Sequence, residues 1–319
     1  MLTKIYKLNL IKNVKQGFIL NFNSCFVHFI MYKIFINKII IYVVYVMKSK
    51  INKQTVCITG VGSGLGKEAA IAIARRGHKV IATVLYEEQI QELEKIVEKE
   101  NLDIEVIKLD VTNEKDREKL LDYDIDVFIS NAAIADSGSI AEVYVERIED
   151  VFKVNVFSNI IVAQIVLKNM IEKKGKGKVV FLSSQIGRIA LPFLGPYASS
   201  KFAIEGFASC LRDEMKILNK LEKTNIQVCI IEPGSYATGF NVETGNKMYA
   251  WMKEKSYFKR HLDLIRKIEN KVWQLTELDS YDSIIKKYIK VVECEKLKRR
   301  YYAPWYQALG IQILRILGK

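Results

Sequence analysis

The chain has 319 residues, half of them hydrophobic, enough for one large domain or two small ones with a buried core, and a formal net charge of +13. Its five cysteines, Cys25, Cys57, Cys210, Cys229 and Cys294, form no C-x-x-C pair, and its three histidines are scattered; this argues against a disulfide framework and a metal centre, and for a reducing compartment. Residues 1–50 hold eight Lys and no acid, so the other 269 residues carry only +5, and with no Arg-rich run nucleic-acid binding finds little support.

Residues 1–46 form a basic, apolar extension in which 29 residues are Ile, Asn, Lys, Tyr or Phe. Its longest charge-free run, 16–32, is 17 residues, short of the roughly 18 to 20 that a membrane span needs. A weak anchor, a targeting peptide and translated upstream sequence compete as readings. The five residue types all have A/T-rich codons, and "MKSKINKQTVCITG" leads straight into a strand. Met47 is therefore the expected functional start, and 47–319 the expected domain.

From Gln54 onward, short apolar strands alternate with helices. Strands are predicted at 54–59, 79–84, 104–110, 125–130, 177–184 and 226–234. Helices are predicted at 65–76, 87–100, 113–121, 141–172 and 197–220. This alternation predicts an α/β domain with a doubly wound parallel sheet, a Rossmann fold. Ligands of such sheets bind outside the carboxyl ends of the strands.

Polar motifs sit at those ends. "TGVGSGLG" follows the first strand, with Gly60, Ser63, Gly64, Leu65 and Gly66 at the start of a helix. A glycine turn there lets a pyrophosphate approach backbone N–H groups at the helix N-terminus. Asp110 and Val111 end the third strand, and Asn131 and Ala132 follow the fourth. Each polar residue reads equally as a turn former or as a groove lining. Two Tyr-x-x-x-Lys pairs occur, Tyr197–Lys201 and Tyr249–Lys253, about as many as chance gives in a chain so rich in both. Their spacing proves nothing alone.

Taken in order, these residues resemble the compact branch of the short-chain dehydrogenase/reductase superfamily, over about residues 52–240. The glycine turn is similar to that family's Thr-Gly-x-x-x-Gly-x-Gly. Asp110 matches its adenine-contacting Asp, and Asn131 the second Asn of its Asn-Asn-Ala-Gly. Asn155 and Ser184 match its catalytic Asn and Ser, and Ser184 lies 13 residues before Tyr197. Tyr197 and Lys201 match its Tyr-x-x-x-Lys, while Pro233, Gly234 and Thr238 match the turn that follows. The second pair lacks an upstream Ser. The resemblance implies an NAD(P)-dependent alcohol dehydrogenase/ketoreductase. Tyr197 would exchange the substrate proton, Lys201 would hold the nicotinamide ribose, Ser184 the carbonyl oxygen, and Asn155 a proton-relaying water. An epimerase or dehydratase and a non-catalytic dinucleotide sensor are the alternatives.

Two residues four apart share a helix face. A cation about 5 Å from a phenol, at an effective dielectric near 20, favours the phenolate by roughly 3 kcal/mol, or about two pKa units. Tyr197 is thus expected to titrate below its ordinary value. Ala133 replaces the family's glycine. Val84 stands where NAD-preferring members carry an acid, and Leu85 and Tyr86 offer no Arg for a 2′-phosphate, which leaves a lean towards NADP.

By resemblance, residues 235–278 bind substrate, and Phe240, Met248, Tyr249, Trp251 and Met252 suggest an apolar one. "DSIIKKYIKVVECEK" is expected to be a surface helix. A strand-like piece and a helix at about 304–318 end the chain, with Ile311, Leu314 and Leu317 on one face. A packed helix is expected there in preference to membrane contact. This tail is loosely similar to retinol- and hydroxysteroid-dehydrogenase-type members. The family is usually dimeric or tetrameric, so a cytoplasmic homodimer or homotetramer acting on a small molecule is expected.

Overall fold

Seven strands form one sheet: β1 (Thr55–Ile58), β2 (Lys79–Val84), β3 (Ile104–Lys108), β4 (Val127–Ser130), β5 (Lys176–Leu182), β6 (Asn225–Pro233) and β7 (Arg300–Ala303). Every pairing is parallel, in the order β3-β2-β1-β4-β5-β6-β7. The computed structural model describes residues 52–318. The 1–46 extension and the expected start at Met47 lie outside the described residues. The predicted Rossmann architecture is what the chain adopts.

The helices are α1 (Gly64–Arg75), α2 (Glu87–Glu100), α3 (Glu114–Glu118), α4 (Val145–Phe152), α5 (Asn159–Asn169), α6 (Gly195–Glu222), α7 (Phe240–Lys255), α8 (Leu262–Thr276), α9 (Asp282–Glu293) and α10 (Trp305–Ile316). They cover both sheet faces, which is why the strands are apolar without alternation. Val56, Ile58, Ile73, Ile231 and Tyr288 pack on one face. Cys57, Phe128, Val166, Val179 and Ile204 pack on the other.

The helix predicted over 141–172 is two helices. Glu142 and Val143 donate backbone bonds to the Ser139 carbonyl, so α4 starts only at Val145. A wide π turn, Lys153–Ser158, then joins α4 to α5. Such turns gather at functional sites, and this one carries Asn155. Among the described residues, only Val145–Lys173 is long and apolar enough to cross a membrane. Its Val162, Ala163 and Val166 are instead core against the sheet.

Two expectations about the C-terminal third need correction. The surface helix is α9, and it is half core: Ile284, Tyr288, Val291 and Val292 are fully buried. Its end is held by a strand lysine. The Lys178 ammonium donates to the carbonyls of Val291 (3.2 Å), Val292 (2.6 Å) and Cys294 (2.7 Å). The terminal helix α10 is not a well-packed one. Ala308 is its only buried residue and Gln307 and Ile311 are half-buried, while Leu309, Ile313, Leu314, Ile316 and Leu317 stay exposed. Between β6 and α9, the helices α7 and α8 share a small core of Met248, Met252 and Leu262, with Phe193, Trp251 and Ile265 against it.

Candidate active site

The strand order turns back between β1 and β4, and that is where a doubly wound sheet opens a crevice. The first turn after β1 lies against the turn after β4. At Gly60 the backbone adopts φ +70°, and a Cβ there would come within 2.8 Å of the Ala132 Cα. A Cβ on Gly66 would meet the Asn131 amide and the Gly60 carbonyl, each at 2.5 Å. Only glycine allows this approach.

Asn131 staples the two turns. Its Nδ2 donates to the Thr59 carbonyl (2.8 Å) and the Gly60 carbonyl (3.1 Å). Its Oδ1 accepts from the Tyr288 hydroxyl of α9 at 2.9 Å. The Thr59 hydroxyl in turn accepts from the backbone N–H of Asn131 and of Ala132, both at 3.0 Å. Asn131 is therefore both a turn former and a groove lining.

A cavity of about 680 Å³ runs along this crevice. One end is bounded by Leu85, Tyr86, Gln89 and Asp110, and the other by Leu191, Phe240, Val272 and Ile311. Gln89 folds back at the first end, where its Oε1 accepts from the N–H groups of Leu85 and Tyr86, both at 3.1 Å. Asp110 accepts from the N–H and hydroxyl of Thr112, both at 2.8 Å. Gly60, Ser63, Gly64, Leu65, Gly66, Val111, Asn131, Ala132, Pro233, Gly234 and Thr238 all line the cavity, as does Ala133.

Ser184, Tyr197 and Lys201 line the same cavity. Tyr197 faces Ser184, whose Oγ accepts from the Ile186 N–H at 3.2 Å. Phe240 packs edge-on to the Tyr197 ring at 5.4 Å between centroids. Lys201 is 2% exposed. Its Nζ lies 5.6 Å from the Tyr197 ring centroid and donates to the Leu182 carbonyl at 2.9 Å. Burial pulls this ammonium down to about 8, against the charge of Glu205 one turn further along α6. Burial pushes the Tyr197 phenol up to about 12, with only Ser184 opposing. The expected lowering of Tyr197 is thus absent from the chain by itself. Desolvation of the phenolate outweighs a cation whose proton is aimed at a carbonyl.

Asn155 is the one predicted catalytic or cofactor residue that does not line the cavity, and of the residues expected to suit an apolar substrate only Phe240 lines it, since Met248, Tyr249, Trp251 and Met252 belong to the small core of α7 and α8. It is fully buried, and its Oδ1 accepts from the Ile134 N–H while its Nδ2 donates to the Ile134 carbonyl, both at 2.8 Å. The same Nδ2 donates to the Ser200 hydroxyl at 3.0 Å. Its side chain ties the loop after β4 to the helix that carries Lys201. Tyr249 lies apart and bonds Glu269, so the second Tyr–Lys pair is incidental.

Sequence reasoning missed the supports behind these groups. Glu205 is ion-paired to Arg300 of β7 at 2.6 Å. Arg300 also pairs with Glu232, the residue before Pro233. Gln307 of α10 accepts from the Ser235 N–H at 2.9 Å and donates to the Thr276 carbonyl at 2.7 Å. Helical spacing from Lys201 could have shown Glu205. Nothing local marks Tyr288, Arg300 or Gln307.

The residues present fit a dinucleotide. The cradle admits no Cβ at Gly60 or Gly66, and the cavity is long enough to join that cradle to Tyr197. An ammonium has three donors, and Lys201 spends one on Leu182. The short chain dehydrogenase family model matches residues 54–248. The uncharacterized oxidoreductase YusZ of Bacillus subtilis is 34% identical over 230 residues, which cover 68% of this chain and 78% of YusZ. The NADPH-dependent 3-dehydrocapnine reductase of Ornithobacterium rhinotracheale is 31% identical over 192 residues, 57% of this chain and 65% of the reductase. A short chain dehydrogenase/reductase from Burkholderia phymatum, solved in complex with NAD, superposes with a TM-score of 0.67 at 18% identity, over 84% of this chain and 94% of that one. The chain belongs to the short-chain dehydrogenase family and is an NAD(P)-dependent oxidoreductase.

Proposed function

We propose that the protein interconverts an apolar alcohol and its ketone, with NADP as the preferred cofactor. The observation that carries this is the position of Ser184, Tyr197 and Lys201. They line one cavity together with the glycine cradle and with Leu191, Phe240, Val272 and Ile311, beside which Glu243 and Glu269 are its carboxylates besides Asp110. When bound, the nicotinamide supplies the hydride chemistry. The glycine turn and α1 N-terminus would hold its pyrophosphate, Asp110 its adenine end and Lys201 its nicotinamide ribose.

Tyr197 would pass its hydroxyl proton to the carbonyl oxygen in reduction and take it back in oxidation, while Ser184 hydrogen-bonds that oxygen. A phenol that burial holds protonated suits the first role as it stands. Oxidation needs the phenolate, which Lys201 favours when charged. Asn155 would act through position, by fixing the helix that carries Lys201. For a proton-relaying water it has only the second lone pair of its backbone carbonyl to offer, since its amide is engaged and that carbonyl already accepts from the Asn159 amide at 3.0 Å. The lean to NADP rests on Val84, where no carboxylate competes with a 2′-phosphate. The site would work in a cytoplasmic setting, where the free thiols Cys57, Cys210, Cys229 and Cys294 stay reduced. Phe157, Phe202 and Phe207, exposed on the π turn and α6, offer a face for a second copy.

The test is Tyr197→Phe. It should bind NADPH like the parent by nicotinamide fluorescence, yet reduce an apolar ketone at least about a thousandfold more slowly. Retained turnover would overturn the assignment. Tighter binding of NADH than NADPH by the parent would overturn the cofactor preference alone.

A further inference from the structure

Two helices border the apolar end of the cavity, and both turn apolar residues outward. Leu264, Ile268, Val272 and Leu275 of α8 are exposed, and their spacing puts them on one helix face. Trp305, Leu309, Ile313 and Ile316 of α10 repeat the same spacing and are also exposed. The helices meet where Gln307 donates to the Thr276 carbonyl. Val272 belongs both to the outer stripe and to the cavity wall, and Ile311 of α10 lines the wall as well. Val272 and Ile311 therefore join the outer apolar surface to the cavity wall, beside the polar Glu269 and Thr276. Rows of large apolar side chains exposed on two neighbouring helices mark an interaction site.

The surrounding charge identifies the partner. Residues 247–276 carry eight Lys and Arg against three acids, and one of the three, Glu269, is turned towards Tyr249. Lys267 and Lys271 are exposed beside the α8 stripe. The α10 helix has one Arg and no acid. A second copy docked here by two-fold symmetry would bring the same cations face to face. An anionic lipid surface complements both the apolar rows and the cations.

We propose that α8 and α10 dock the protein on an anionic lipid surface, with the cavity opening towards the acyl chains. The docking rests on the two stripes and their cations; only the further step, delivery of an apolar substrate from the lipid, rests on the proposed function. The test uses the full chain and vesicles of equimolar phosphatidylcholine and phosphatidylglycerol, with no substrate. The parent should float with the vesicles, less so at high salt, and its tryptophan emission should shift to the blue. A variant carrying Ile268→Ser, Leu275→Ser, Leu309→Ser and Ile313→Ser should lose about tenfold or more in partition. Lys267→Glu with Lys271→Glu should weaken it too. None of these side chains lines the cavity, so every variant should bind NADPH like the parent. Flotation of the serine variant equal to the parent would overturn the docking, as would a parent that stays in solution. So would a lipid-free parent that is a dimer and turns monomeric on serine substitution, because a second copy would then cover the stripes.

Discussion

Lys201 carries its charge at a cost. Burial lowers its pKa from 10.5 to about 8, although the charge of Glu205 opposes the shift. Between those values the unfolded chain holds the proton and the folded chain does not. The group therefore contributes stability above pH 10.5 and loses it as pH falls through about 8. The full swing is about 3 kcal/mol. Urea unfolding of the parent and of Lys201→Met should show it: the parent's stability relative to the variant should climb between neutral pH and about pH 10. A difference that stays flat would refute the lowered value. The identity of this residue was legible in the sequence, because Ser184 and Asn155 precede it at the family's spacing. Its titration, and that of Tyr197, was not. Both depend on what Phe240, Leu182 and Glu205 place around them, and spacing carries no information about burial.

At the scale of elements, alternation revealed the sheet because buried strands and covering helices differ in length and period. The seventh strand was visible only as a strand-like piece, four residues long. The break in the long helix at Lys153–Ser158 left no mark at all, since a π turn needs no Gly or Pro. Lys178 shows the same limit. In "GKVVFLSS" it reads as a polar residue at a strand start, yet its acceptors lie more than a hundred residues away. Its three bonds finish α9. Lys178→Met should strand those carbonyls and cost about 3 kcal/mol, read as a lower urea midpoint at unchanged slope. An unchanged midpoint would mean that the helix end is satisfied by other groups.

On the scale of the whole molecule, the C-terminal third braces a site whose motifs all lie upstream. Tyr288 holds Asn131, Arg300 holds Glu205 and Glu232, and Gln307 holds the turn at Ser235. The family match stops at residue 248, before all three. Tyr288→Phe removes one hydroxyl and leaves the Asn131 oxygen without its donor. We expect NADPH affinity to fall about tenfold, equivalent to about 1.4 kcal/mol; unaltered affinity would show that the staple stands on Thr59 and Gly60 alone. Chains leave the ribosome from their N-terminal end. The glycine turn emerges early, the Tyr–Lys pair midway, and the side chains that hold them last of all. A nascent chain thus passes through the closing stretch of its synthesis with every signature of an enzyme and no finished site. A late stop codon would freeze it in that condition, leaving a polypeptide that any motif search accepts and that has lost the supports of its own catalytic groups.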